Sequence, residues 1–338
     1  MNARILKILS ILLALSTYGP LAWSAESPLG SPSKSVKRYS DNYADVVRSA
    51  LPPVKAGQLD RMLEEARRAG ADEKPLAIAQ PRRLESFFGL RQRGDADASG
   101  FIDAGDSVYR VDTERQRIYV AWRNRGASNR PREEFKGELA AITSAHRELA
   151  ERIGIPRGEV LFTDTREILS ETDGHPVAEK GVMGEIRSEG AMTTILRSVG
   201  GILVEDSYAR FSSIDAKQLD LVNVQWPPLR VSESAMKKGL REPREALERI
   251  TRRIASESKG EAVNVRMAIV LRPVAADTKD YPIEFVPSLK VGTRPKSMRT
   301  KDGYRTDAGE VFYVDLVRDA PPFADASTPD TKQSEEPR

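Results

Sequence analysis

Apolar positions along residues 132–153 fall at Phe135, Leu139, Ile142, Leu149 and Ile153, one stripe on a helical period, so the spacing predicts a single long helix. Pro131, Glu133 and Glu134 suit its start, and Gly154 and Pro156 its stop. Two shorter helical patterns precede it. Asp41 can cap a helix carrying Val46, Val47 and Leu51 up to Pro52-Pro53. A second, over residues 57–69, carries Leu59, Met62, Leu63 and Ala66 and ends at Gly70. After Pro227-Pro228 come a short helix near residue 234 and a longer one from Pro243 with Leu247, Ile250 and Ile254 on one face.

The other rhythm has a period of two. Residues 107–110 and 117–122 read as two strands joined by a polar turn, and 159–163 as a third. Residues 192–226 predict a three-stranded meander. Its turns are Gly200-Gly201 and the region of Asp215-Ala216-Lys217. Strands over 263–272, 282–291 and 310–317 complete the chain. Runs of helix and then of meander predict an α+β fold, with antiparallel β-meanders packed against amphipathic helices. Residues 118–122, ending at Trp122, resemble 221–226, ending at Trp226, which suggests two related modules. The boundaries follow: 41–126 a helical hairpin plus β-hairpin, 127–230 a helix plus meander, and 231–319 a helix plus strands.

The two ends of the chain have another composition. Arg4 and Lys7 precede the apolar run Ile8 to Leu15, then Gly19-Pro20 and Ala22-Trp23-Ser24, which is the layout of a secretory signal peptide over residues 1–24 cut after Ser24. Residues 25–40 read as a flexible linker and 320–338 as a disordered tail. The expected location is therefore secreted or periplasmic, with no stable membrane anchor once the signal is removed. Cysteine is absent, which excludes disulfides, thiolate metal sites and cysteine nucleophiles. The 53 Lys and Arg residues against 50 Asp and Glu leave a net charge of +3. Loss of Arg4 and Lys7 with the signal brings this to +1. Charges of both signs are interspersed, which argues against nucleic acid as a partner.

Residues 95–106 (DADASGFIDAGD) place oxygen-bearing groups at alternate positions, as a calcium loop requires. Asp95, Asp97, Ser99, the Phe101 carbonyl, Asp103 and Asp106 are the candidate metal ligands, and Gly100 stands at the sharp turn. These residues resemble an EF-hand loop, and the Asp at the last position resembles the dockerin variety. The resemblance implies one calcium ion with a structural role. The segment after the loop reads as a strand where an EF-hand continues as a helix.

Leu196 to Ser207, through Gly200-Gly201, resembles the hairpin core of the FTP and PepSY propeptide modules of thermolysin-type secreted proteases. That resemblance implies a helix packed on the sheet and a protein partner that is chaperoned or inhibited. The Gln usual before the glycine is missing here.

Catalytic motifs are scarce. The two histidines, His146 and His175, are far apart, and neither belongs to an HExxH pattern. His146 lies on the apolar stripe and reads as a structural histidine. Ser234-Ala235-Met236-Lys237 fits the SxxK pattern of penicillin-binding enzymes, but the same pattern recurs at Ser31 and Ser256, and Ser234 suits a helix cap. No catalytic residue is therefore assigned. The function expected is an exported non-catalytic binding, inhibitory or structural module. The alternative is a secreted hydrolase using an Asp/Glu pair or Ser-Lys chemistry.

Overall fold

The computed structural model describes residues 57–123, 130–172, 185–258, 263–275, 283–295, 299–300, 303–304 and 310–320. The signal peptide, the linker, the 41–51 helix, His175 and the tail beyond residue 320 lie outside these. The fold is α+β with mostly antiparallel strands. Among the described residues no helix is long and apolar enough to cross a membrane. The chain divides into two units, one centred on residues 64–231 and the other on 232–272 and 285–322.

In the first unit, helices α1 (Gln58–Asp72) and α2 (Pro81–Phe88) lead into β1 (Ile102–Asp103), β2 (Ser107–Asp112) and β3 (Arg117–Trp122). Then follow β4 (Arg130–Pro131), α3 (Arg132–Lys136), α4 (Leu139–Ile153), β5 (Val160–Thr172), β6 (Glu185–Val199), β7 (Ile202–Ser213) and β8 (Leu219–Gln225). The strands pair antiparallel in the order β1-β2-β3-β8-β7-β6-β5, with β4 also on β6. The two Trp-ended runs that suggested a repeat lie side by side, Ile118 opposite Val224. The β6–β7 hairpin turns at Gly200 and Gly201, with φ of 59° and 77°. Two successive positive φ values are what a two-residue hairpin turn of matching twist needs.

One face of this sheet is apolar. Tyr109, Ile118, Val120, Val222, Val224, Ala209, Phe211 and Ile195 form a core with Leu84 of α2 and Leu149 and Ile153 of α4. Sequence spacing missed α2, although Pro81 at its start and Gly89 in the left-handed region at its end (φ 67°) are its signals. Three boundaries differ from expectation. The 132–153 helix is two helices, broken at Gly137 and Glu138, where the Glu138 carboxylate pairs with Arg130. Gly70 does not end α1 but lies inside it, and glycine is required there because a Cβ would stand 2.0 Å from the Leu229 carbonyl oxygen. The third strand is thirteen residues long, because β6 extends back to Glu185 to pair with it.

Arg197 is the largest polar side chain in this interior and is fully buried. It sits on β6 in the inward register shared by Thr193 and Ile195. Its Nε donates to Glu159 at 2.7 Å, one terminal nitrogen to Glu73 at 3.0 Å and the other to the Pro227 carbonyl at 2.6 Å. The guanidinium also lies 5.2 Å from the Trp226 ring centre. Glu73 accepts in turn from the Leu229 amide. Burial raises the Glu73 pKa, and Arg197 works against that shift.

In the second unit, α5 (Glu233–Lys237) and α6 (Pro243–Ser258) are followed by β9 (Val263–Ala275), β10 (Ile283–Pro295) and β13 (Glu310–Asp315), with the short β11 (Arg299–Thr300) and β12 (Gly303–Tyr304) between. Ala246, Ile250 and Ile254 of α6 pack on Leu289, Val291, Phe312 and Val314. Asp315 ties the strands together: it takes two bonds from Arg272 at 2.8 Å each and one from Ser288 at 2.7 Å.

Replacing Arg197 by Met is expected to destabilise the chain by about 3–5 kcal/mol at neutral pH, because two buried carboxylates lose their counter-charge. The sign with pH follows from Glu73. Its folded pKa is raised, so its charged form is costly above that pKa and the cost disappears on protonation. The deficit of Arg197→Met relative to wild type should therefore shrink as pH falls, as read by denaturant titration.

Candidate binding face

The second face of the first unit's sheet has a different lining. Reading across the register, one row runs Arg110, Tyr119, Asn223, Arg210, Thr194. The next runs Asp112, Arg117, Gln225, Tyr208, Leu196. Every residue of these two rows except Gln225 keeps part of its surface in solvent. Alternation alone produces this division, since Ile118 and Val120 point to the core while Arg117, Tyr119 and Ala121 point away.

A pocket of about 140 Å³ opens on this face, lined by Phe101, Arg110, Arg117, Tyr119, Tyr208 and Asn223 with the edges of Ile118 and Val224. Phe101 meets Tyr119 edge to face, with centroids 5.4 Å apart. Arg110 lies 5.9 Å from the Phe101 ring centre and Arg210 4.5 Å from that of Tyr208. Arg117 has its pKa lowered, first by burial and next by the like charge of Arg110.

The loop read as a calcium site stands beside this pocket. Asp97 Oδ1 accepts from the amides of Ser99 at 2.8 Å and Phe101 at 2.9 Å. The Phe101 carbonyl accepts from the Asp97 amide at 2.8 Å, so the loop closes on itself. Asp103 takes the Gly105 amide on one oxygen and Arg123 on the other, which holds its carboxyl below the usual range. Asp95, Ser99 and Asp106 are exposed. Among the described residues no three His, Asp or Glu side chains gather as a metal site. Of the candidate ligands, Phe101 is the one that also lines the pocket, through its ring.

The groups that could do acid–base chemistry are held elsewhere. His146 is buried between Thr193, 2.6 Å from Nδ1, and Ser213, 2.7 Å from Nε2. Thr193 continues to Thr165 and Thr143, and Thr143 donates to the Leu139 carbonyl. One consistent assignment has each hydroxyl donating once, with Nδ1–H donating to Thr193 and Ser213 donating to Nε2. Burial alone pushes the imidazole down to about 4. Glu73 and Glu159, acids at a buried group, are bridged by Arg197. Ser234 does not cap α5. Ser232 does, accepting from the Ala235 amide, with the Ser234 hydroxyl 3.2 Å away.

No family model matches the chain, and no curated protein sequence is significantly similar to it. Among solved structures, it is similar to an uncharacterized protein from Eubacterium rectale ATCC 33656, at 10% identity over 80% of this chain and 82% of that one, with a TM-score of 0.37.

The sheet face leaves sequence signals only in hindsight: Tyr119 and Tyr208 stand at outward positions of strands whose inward positions are already apolar. Two outcomes are expected. With a chelator present, Asp97→Ala should speed hydrogen exchange at the Ser99 and Phe101 amides, since their bonds to Asp97 need no metal. For His146, the folded pKa lies below the ordinary 6.5, so the unfolded chain takes the proton first. Its stabilising effect is complete above about pH 6.5 and falls by about 3 kcal/mol on approach to pH 4. His146→Leu should flatten that part of the stability–pH curve.

Proposed function

We propose that the chain is an exported, non-catalytic binding module that seats a partner protein on the open face of its first sheet. The observation that carries this reading is the half-exposed surface around Phe101, Tyr119, Tyr208, Arg110 and Arg210. Aromatic and arginine side chains are those that concentrate at protein interfaces, where they combine large contact area with directed polar bonds. The leader of residues 1–24 supports export. The resemblance of Leu196–Ser207 to protease propeptide modules supports an inhibitory or chaperoning role for the partner contact.

The hydrolase alternative asks for an activated hydroxyl or a pair of acids open to substrate. His146, the described imidazole, is neutral and enclosed by hydroxyls, and Glu73 and Glu159 share a buried guanidinium. These placements favour binding over turnover.

The test is site-specific photocrosslinking in the producing cell. A benzophenone amino acid replaces Tyr119 in one variant and Arg147, on the exposed side of α4, in the other. Adducts from position 119 in the exported fraction, and none from 147, are expected. Equal labelling at both positions, or none at 119, would overturn the reading.

A further inference from the structure

Two guanidiniums share one small pocket on this face. Arg110 lies against the backbone of Gly100, so close that a Cβ on that glycine would stand 3.4 Å from its Nε. The residue after Gly100, Phe101, supplies the ring beside it. Arg117 follows on the neighbouring strand, where Arg110 and Arg115 add like charge and Asp112 and Tyr208 oppose it. Two strands further, on β7, Arg210 holds its Nε buried with no hydrogen-bond partner. Burial and the like charge of Arg110 both work against the charged form of Arg117, and an anion placed between Arg110 and Arg117 would relieve the two costs together.

The geometry and walls narrow the class of anion. A volume of about 140 Å³ is well under that of a drug-sized or nucleotide site. Around the two arginines stand the rings of Phe101, Tyr119 and Tyr208, one amide, Asn223, and the aliphatic Ile118 and Val224. No helix N-terminus or glycine-rich loop lines it to hold a polyphosphate. Planar guanidiniums suit the two oxygens of a carboxylate, and the rings suit an apolar neighbour. We infer that the pocket around Arg110, Arg117, Phe101, Tyr119 and Tyr208 is a subsite for a carboxylate carried beside an aromatic group, as in an acidic peptide of the partner. This rests on the binding reading above and supplies its chemistry.

The experiment is calorimetric titration of the mature chain at low salt with capped Glu-Phe-Glu, capped Gln-Phe-Gln, phenylacetate and inorganic phosphate. The acidic peptide should bind about tenfold more tightly than its amide counterpart, the size of one charge-assisted contact. Arg110→Gln, a change at a half-exposed position, should remove that preference. Arg147→Gln should change nothing. Phenylacetate binding as tightly as Glu-Phe-Glu assigns the subsite to small carboxylic acids, and weaker binding assigns it to a peptide side chain. Equal affinity for both peptides, preference for phosphate, or a preference that survives Arg110→Gln would overturn the inference. If crosslinking at Tyr119 succeeds while the carboxylate preference is absent, the binding face stands and this subsite falls. If crosslinking also fails, both fall.

Discussion

The first unit depends on a buried charge. Arg197 sits in a position that alternation reserves for an apolar residue, and its charge has to be met there. Two carboxylates and a carbonyl must therefore come to it. Glu73 follows α1, Glu159 precedes β5, and Pro227 ends β8, so one guanidinium fixes three distant chain segments at once. An apolar side chain at this place would fill the volume without specifying who arrives. The ion cluster trades solvation for a unique arrangement, and the indole of Trp226 closes one side of it.

With that arrangement set, the sheet has two unlike faces. One carries the helices and the core. The other is left partly in water, with tyrosines and arginines on strands rigid enough to hold them in register. Strand-borne side chains are better positioned than loop-borne ones, because a ladder of backbone hydrogen bonds fixes each Cβ. The self-closed loop at residues 97–105 extends this. By satisfying its own amides through Asp97 and Asp103 it delivers the Phe101 ring to the rim of the pocket. Two of the acids read as candidate ligands, Asp97 and Asp103, accept bonds from the loop's own amides.

The buried histidine follows the same economy of partners. An imidazole on the apolar stripe of α4 needs two hydrogen-bond partners inside the protein, and β6 and β7 supply one hydroxyl each. Thr193 and Ser213 are too far from His146 in sequence for spacing to connect them. Stability toward acid is thereby linked to a packing detail rather than to a reactive site.

Much of the fold was legible because periodicity is local. The stripe Phe135 to Ile153, the Gly200-Gly201 turn and the α6 face of Ile250 and Ile254 each state their structure within a few residues. The break at Gly137 and the place of Gly70 inside α1 were not legible: the first accompanies the pairing of Arg130 with Glu138, and at the second the Leu229 carbonyl, far along the chain, leaves no room for a Cβ. The sequence by itself determined most of the described elements, the α+β class and the lack of cysteine chemistry, which follow from nearest-neighbour spacing and composition. Only the tertiary structure decided that Arg197 is buried between two acids and that Arg110 and Arg117 line one pocket with Phe101, Tyr119 and Tyr208. Those outcomes depend on which strands lie side by side, and strand order is set by contacts between residues scores of positions apart.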